Sequence, residues 1–338
     1  MATSALHQTA IDGEPNHSDA SPATAPHDFD AQSMARMERA HALAQQPDRK
    51  AVEELLLYLG DSHPFVRWEA ETALAHISDH LQGRSRLLRT LGKAQSPDLS
   101  VSEMLTLLGE QLHAEDAMRR ASAATALGLW RHEQAVQLLT EALADPYPLV
   151  RTNAATGLGQ LGDREPVPQL IQRLSDPSAW VRRAAAEALG HIGSPQAIPE
   201  LSRLVREDEE LVATAALSAL GHLPDPRSHR TLMACLDGED GVLCWFALRS
   251  LVHIGDVSAI PALQRHATAT DVFFGQSMGE LATSAIHSIE RRQSGLWNML
   301  RRGFYTLYDG LARLLRSRIG KKRSQKQQTT DGEESGDF

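Results

Sequence analysis

The chain is poor in cysteine, in aromatic residues and in long apolar runs. Cys235 and Cys244 are its two cysteines, and Phe, Trp and Tyr make up 5% of its 338 residues. Two thiols nine positions apart fit neither a disulfide framework nor a metal motif, so we expect both to be small core residues. No apolar run approaches the roughly 20 residues that span a bilayer, and residues 1–30 lack a signal-peptide pattern. The sequence therefore predicts a cytoplasmic protein.

The motifs of common catalytic centres are missing as well. No Gly-rich phosphate loop and no Ser-His-Asp arrangement stands out. The loop glycines recur where helices are expected to end. The sequence thus favours a non-catalytic protein without a cofactor, although it does not settle whether the chain is an enzyme.

Charge is unevenly distributed along the chain. The formal net charge is −9, and residues 47–294 by themselves carry −9, whereas residues 295–326 hold nine basic residues against one acid, Asp309. An acidic body argues against nucleic acid as a partner. The basic segment therefore needs a separate explanation.

What the chain has in abundance is internal repetition, with a period of 31 residues between Leu105 and Ala285. Alanine recurs at positions 123, 154, 185, 216 and 247, and leucine recurs at positions 127, 158, 189, 220 and 251. A period of this size means one supersecondary unit stacked on copies of itself. Each unit shows two stretches of helical periodicity separated by a short turn. The sequence predicts an all-α solenoid of about seven helix pairs.

The outer boundaries follow from composition. Residues 1–30 are too polar to form a core and are expected to be disordered, and a helix is expected from Ala31 to Gln45. The solenoid is predicted over residues 31–294. The first unit matches the second at an offset of 53 residues, which predicts an insertion near residues 78–100 with a short helix around Arg86–Leu91. A degenerate last unit is expected to act as a cap.

Residues 295–320 are predicted to form a basic amphipathic helix, followed by a disordered charged tail over 321–338. Large apolar residues recur there at spacings of three and four, namely Leu296, Leu300, Phe304, Leu307, Leu311 and Leu314. Such a helix can cap the last repeat, lie on an anionic membrane surface or dock on another protein. All three interpretations stay open, with residues 295–326 as the candidate for peripheral membrane contact.

The repeats resemble HEAT-like repeats of the phycobilisome-lyase type, within the armadillo-type superhelices. The motif that carries the resemblance is Asp-Pro-x-x-x-Val-Arg at 145–151 and 176–182, followed by Ala-Ala-x-Ala-Leu-Gly-x-Ile-Gly at 185–193. The resemblance implies a ladder of hydrogen bonds between Asp and Arg of neighbouring units, with the pairs Asp61/Arg67, Asp145/Arg151 and Asp176/Arg182. The pattern lapses from Glu207 onward, which predicts looser stacking in the C-terminal half.

In repeats of this type the second helices usually form the concave surface. One column of this surface is apolar in every unit: Phe65, Met118, Leu149, Trp180, Leu211, Val242 and Phe273. It is either an apolar stripe that grips a partner or packing at the start of each second helix. Because Trp and Arg often anchor interfaces, the predicted partner-binding residues are Trp68, Trp180, Arg183, Glu187, Trp245 and Arg249. Burial of the Trp side chains in the stack is the alternative.

Histidines form another column, at the last turn of the second helices: His76, His191, His222 and His253. A cation there interacts favourably with the helix dipole, and His can bind free carbonyl groups. Metal binding by His191, His222 and His253, or pH sensing, are less favoured alternatives.

The resemblance also suggests enzymatic alternatives. Deoxyhypusine hydroxylase, a related repeat family, holds iron with paired His-Glu motifs, but this chain has a single such pair, His132-Glu133. Bilin lyases of the same repeat type attach a tetrapyrrole to protein. The sequence favours a cytoplasmic scaffold or adaptor whose concave face binds a partner protein, with bilin-lyase-like or metal-dependent oxidoreductase activity as the alternative.

Overall fold

The structure is a computed structural model that describes residues 30–45, 48–90 and 100–294. These residues form fifteen α-helices and one hairpin of strands β1 (Val272–Phe273) and β2 (Gln276–Ser277). The helices are α1 (Ala31–Ala44), α2 (Arg49–Tyr58), α3 (Pro64–Thr90), α4 (Val101–Gln111), α5 (Ala117–Gly128), α6 (Glu133–Ala142), α7 (Pro148–Leu161), α8 (Val167–Arg173), α9 (Ala179–Ile192), α10 (Ile198–Glu207), α11 (Glu210–Leu220), α12 (Pro226–Leu236), α13 (Gly241–Ile254), α14 (Ile260–His266) and α15 (residues 278–294).

After α1, the helices follow one another as seven antiparallel pairs, from α2/α3 to α14/α15. Within the regular units, each second helix packs against its own first helix and against the second helices of the neighbouring units. The predicted all-α solenoid is therefore confirmed. The predicted disordered N-terminal segment, the C-terminal amphipathic helix and the charged tail lie outside the described residues.

The helix ends follow local sequence signals. Asp48, Asp116 and Asp240 each accept backbone N–H groups at the start of a helix, and Ser100 forms a reciprocal capping box with Glu103. These side chains satisfy donors that have no partner within the helix. The polar residues between the apolar stretches thus fix where each helix begins.

The repeated apolar columns form one continuous core. The alanine and leucine columns are both fully buried, and each unit shares this core with its neighbours. Because a single helix pair can bury its apolar face only against another pair, stability depends on stacking. The periodicity of the sequence is therefore the periodicity of the core.

Small residues bring the second helices unusually close together. A Cβ atom added to Gly190 would lie 2.7 Å from the Cα atom of Ala219, and one added to Gly128 would lie 2.6 Å from the Cα atom of Gly157. Only small residues permit such an approach. The second helices contact each other far more extensively than the first helices do. The stack therefore curves toward the second helices, which form its inner face.

An arginine ladder joins neighbouring units. Arg151 donates from Nε and Nη2 to the two carboxylate oxygens of Asp176, both at 2.8 Å, and from Nη1 to the carbonyl groups of Asp145 and Pro146. Each such arginine thus binds its own turn and the aspartate of the next unit. Three further rungs repeat the carboxylate contact: Arg36–Asp61, Arg120–Asp145 and Arg182–Asp208.

The ladder differs from the sequence prediction in two respects: the rungs of Arg36 and Arg120 were not predicted, and the ladder continues past Glu207. The 31-residue period places Glu207 at the ladder position and predicts that the pattern lapses there. Arg182 instead binds Asp208, with both N–O distances at 2.7 Å. The helix α10 ends at Glu207, so the aspartate that begins the turn lies one residue later. The ladder therefore reaches one unit further than predicted.

Two units depart from the regular pattern. Helix α3 continues without a break to Thr90, so the residues expected to form a separate short helix extend the second helix of the first unit. In the last unit, the hairpin formed by β1 and β2 replaces the short turn, and α15 starts at residue 278. Phe273, predicted in the apolar column at the start of a second helix, therefore lies in a strand.

Candidate functional site

Large apolar side chains on the inner face of the solenoid are exposed to solvent. Trp68 is 58% exposed and Trp180 is 60% exposed, and both lie near the starts of second helices. Phe65 and Leu149, from the apolar column, are exposed as well, whereas Met118, Leu211 and Val242 are half-buried. The apolar column is thus mixed, since three of its members are exposed and four, including Phe273, are half-buried.

Trp180 is held in place by its neighbours on α9. The guanidinium group of Arg183 lies 5.9 Å from the centre of the indole ring. Arg183 Nε in turn donates to the Glu187 carboxylate at 2.9 Å. Because successive positions on one face of a helix are three or four residues apart, these residues form a single row. Three of the predicted partner-binding residues are thus brought together.

Trp245 differs from the other predicted anchors because it is 4% exposed. Its ring packs against Phe246, with centroids 5.0 Å apart, and against Phe274 of the hairpin, also at 5.0 Å. The column pattern predicts Trp245 on the binding surface. In the structure, the hairpin covers it, so Trp245 supports the surface from below and does not form part of it.

Arg249 is exposed one turn further along α13, and its guanidinium group lies 5.6 Å from the centre of the Trp245 ring. Among the residues that the structure describes, Arg249 forms no ion pair. Phe274, which sequence reasoning missed, is 69% exposed and lies against the same indole ring. The inner face therefore has a second aromatic and cationic cluster two units away from Trp180.

The histidine column lies along the opposite edge of the inner face, at the C-terminal ends of the second helices. The rings of His191 and His222 have centroids 6.1 Å apart. Burial, followed by the nearby His191, His253 and Arg249, lowers the pKa of His222. None of these three histidine rings donates to a helix-end carbonyl within the described chain. Gly193, which the sequence predicted just beyond the end of this helix, follows α9 in a left-handed conformation with φ of +71°.

Metal ligands and reactive thiols are not assembled in the part of the chain that the structure describes. No three His, Cys, Asp or Glu side chains converge there as a metal site. Burial raises the pKa of both Cys235 and Cys244 to about 11, which disfavours the nucleophilic thiolate. Among the same residues, no helix combines the length and the apolar character that crossing a membrane requires.

A pocket of about 390 Å³ opens between α10, α12 and α13, where the arginine ladder stops. Gly238 stands at the position of the ladder aspartate, and Ala213 stands at the position of the preceding arginine. The pocket is lined mainly by Val205, Ala234, Cys235 and Leu243, with Arg206 and Arg230 among the polar residues. The pocket therefore lies beside the turn at which the described residues form no rung, and Glu239 and Asp240 line it as well.

The described fold and face define a class of protein: an α-solenoid of stacked helix pairs with an accessible inner face. The model of the HEAT-repeat family matches residues 105–174, 139–221 and 167–244, so residues 105–244 consist of HEAT repeats. The family resemblance predicted from the sequence is confirmed. No curated protein matches the sequence.

Solved structures of the same architecture resemble the chain. YibA of Escherichia coli is 18% identical over 78% of this chain and 98% of its own, with a TM-score of 0.50. The complex of CpcE and CpcF of phycocyanin lyase from Nostoc sp. PCC7120 is 24% identical over 72% of this chain and 88% of that one, with a TM-score of 0.41. A designed armadillo-repeat protein for modular peptide recognition is 18% identical over 55% and 99%, with a TM-score of 0.40. These likenesses concern the fold alone.

Proposed function

We propose that the protein is a non-catalytic scaffold or adaptor that binds a partner protein on the inner face of its solenoid. The observation that carries this proposal is the exposure of Trp68 and Trp180 on that face, both above one half. Exposed tryptophans cost solubility, and they are among the residues that most often dominate binding energy in interfaces. The face is also long and curved, which suits a protein partner better than a small molecule.

The row of Trp180, Arg183 and Glu187 is the proposed centre of this surface. The ion pair between Arg183 and Glu187 is about 40% exposed on each side, so it adds little to stability. It does hold the guanidinium group beside the indole ring before any partner arrives. Such preorganisation lowers the entropy cost of binding. Trp68 and Arg249 extend the surface toward the two ends, and Trp245 is left out because it is buried.

The experiment is affinity capture of partners from cells of the native host with the full chain, quantified by mass spectrometry. We expect W180A/R183A to weaken capture roughly thirtyfold, which corresponds to about 2 kcal/mol of lost binding energy. The matched control is L57A/R203A, which removes an exposed apolar residue and an ion-paired arginine from the first helices, on the other side of the stack. Equal capture by W180A/R183A and by the unaltered chain would show that the assignment of the inner face is wrong.

We also propose that the protein is cytoplasmic and that residues 295–326 contact a membrane surface. Their support is the sequence pattern of that segment, with its nine basic residues and regular leucines. Co-sedimentation with anionic vesicles tests the contact. Binding that persists after deletion of residues 295–326 would remove this segment as the membrane anchor.

A further inference from the structure

Two histidines lie where neighbouring second helices touch each other through glycine. His191 directly follows Gly190, and His222 directly follows Gly221. A Cβ atom added to Gly190 would lie 2.7 Å from the backbone of α11, and one added to Gly221 would lie 2.6 Å from Ser250 Oγ on α13. The rings of His191 and His222 have centroids 6.1 Å apart, whereas the axes of packed helices are usually about 8–10 Å apart. The close helix contact thus brings the two imidazoles together.

A third histidine and two arginines extend this group toward the end of the stack. His253 occupies the same column position on α13, close enough to His222 to affect its ionisation. Arg249, one turn earlier on α13, forms no ion pair within the described ranges. Arg292 of α15 donates to two carbonyl groups in the last turn of α13, one of them that of His253 at 2.8 Å. The histidine triplet, formed by His191, His222 and His253, therefore has two permanent cations as neighbours.

The carboxylates that lie nearest to the triplet along the chain have other partners. Each accepts a hydrogen bond from another side chain, namely Glu187 from Arg183, Asp225 from Arg227 and Asp256 from Ser258, and Asp256 also lies 3.5 Å from His229. In the two adjoining units, the uncharged Gln160 and Ser284 stand at the histidine position. Helix α15 also carries the exposed residues Glu280, at the position equivalent to Arg249, and His287, Glu290 and Arg291. None of these carboxylates bonds to a triplet ring in the part of the chain that the structure describes.

The central ring shows the balance of these charges. Burial is the first cause that lowers the pKa of His222, followed by His191, His253 and Arg249, and no carboxylate counters them. A helix C-terminus by itself favours a cation, so burial and the basic neighbours outweigh the helix dipole here. The folded chain therefore binds fewer protons at His222 than the unfolded chain does. The resulting stability is complete above about pH 6.5 and declines as pH falls below that value.

We propose that the histidine triplet is a pH-sensitive switch, in which protonation below about pH 6.5 separates the C-terminal ends of α9, α11 and α13. Protonated rings place like charges on three adjacent helices. Because these helices touch through glycine, no layer of side chains lies between them that could move aside. The helix ends therefore have to part, and the inner face widens beside the row of Trp180. At neutral pH the rings are uncharged and the stack stays closed.

The test compares the full chain with H222Q, which removes the central charge and keeps a polar side chain. The matched control is H113Q, at an exposed histidine that follows α4 and lies outside the triplet. Hydrogen exchange followed by mass spectrometry measures the protection of the last turns of α9 and α11 at about pH 7.5 and about pH 5.5. Thermal melts at the same two pH values give the Tm. Both measurements are repeated in about 0.5 M NaCl, which screens charges.

Acidification should lower the protection of these two turns severalfold and the Tm by several degrees, both in the unaltered chain and in H113Q. H222Q should lose most of both effects, and salt should reduce them in the unaltered chain. Equal responses of H222Q and H113Q would overturn the inference. A loss of protection spread evenly over all helices, or one that salt leaves unchanged, would overturn it as well, because repulsion within the triplet is local and screened by salt.

The switch is a property of the stack and does not depend on the proposed partner. If W180A/R183A abolishes partner capture while the protection of α9 and α11 does not respond to pH, the inner face remains the binding surface and the switch is wrong. If the protection responds as expected while W180A/R183A captures partners normally, the switch stands and the binding surface has to be sought elsewhere.

Discussion

Replacing Arg151 by methionine should be one of the most destabilising single changes in this solenoid. The Arg151 and Asp176 side chains are 9% and 1% exposed and share two hydrogen bonds of 2.8 Å. Methionine preserves much of the apolar stem but leaves the buried Asp176 carboxylate with Arg173, 3.6 Å away, as its remaining cation. Breaking a buried pair from one side costs about 3–5 kcal/mol when the remaining charge is uncompensated, so we expect the lower end of that range here.

The chain offers a matched control in Arg67, which occupies the same position in the first unit. Arg67 donates to the carbonyl groups of Asp61 and Ser62, as Arg151 does in its own turn, but it has no carboxylate partner among the described residues. R67M therefore loses only the contacts to the turn, which we estimate at about 1–2 kcal/mol. The difference between the two variants isolates the contact between units.

The assay is equilibrium unfolding in urea, followed by circular dichroism at the helix band. We expect a lower midpoint for R151M than for R67M, and partial recovery in R151M/D176L, where both buried charges are replaced by apolar groups. If R151M cost no more than R67M, the rung would contribute nothing beyond its own turn. The reasoning that the ladder couples neighbouring units would then be refuted.

Two further predictions concern packing and pH. G190A should lower the Tm by several degrees, since its Cβ would lie 2.7 Å from the Ala219 backbone, whereas G238A, with contacts no closer than 3.4 Å, should be neutral. Burial alone would raise the pKa of Asp176, but its bonds to Arg151 and Ser178 outweigh burial and lower it. The unfolded chain therefore takes up protons first, so stability is complete above about pH 4 and is lost as pH falls further. In thermal melts, the Tm of D176N should fall less steeply with decreasing pH than the Tm of the unaltered chain. An equally steep fall would show that Asp176 does not cause the loss of stability in acid.

Most of the fold was predictable because stacking imposes the same demand on every unit. The alanine and leucine columns have to be small and apolar at fixed intervals, so their identity alone reveals the period and the core. The ladder was harder to predict from the sequence, because each of its ion pairs joins residues of two different units. Arg120 binds Asp145 even though Ala114 stands at the aspartate position of its own turn. An alignment that looks for both partners in one turn therefore misses this rung.

The candidate site was predictable only in part. Trp180 and Trp68 are exposed, but column position alone does not give the environment, since Ala121 shares the column of Trp68 and is buried. Trp245 occupies the same column as Trp68, yet it is buried because the hairpin folds onto it. The hairpin itself gives a weak sequence signal, since Phe-Gly is not among the dipeptides that favour positive φ at both positions.

The irregular last unit is also a suitable place for residues that determine binding specificity. In the regular units, the environment of each inner-face residue is set by helices on both sides, and a change that suits a partner has to respect the stack. In the last unit, the turn is free of that constraint, so residues 267–277 can lengthen and present Phe274 to the inner face. We expect that exchanging the hairpin for a short regular turn leaves the core intact and uncovers Trp245, without affecting the row around Trp180.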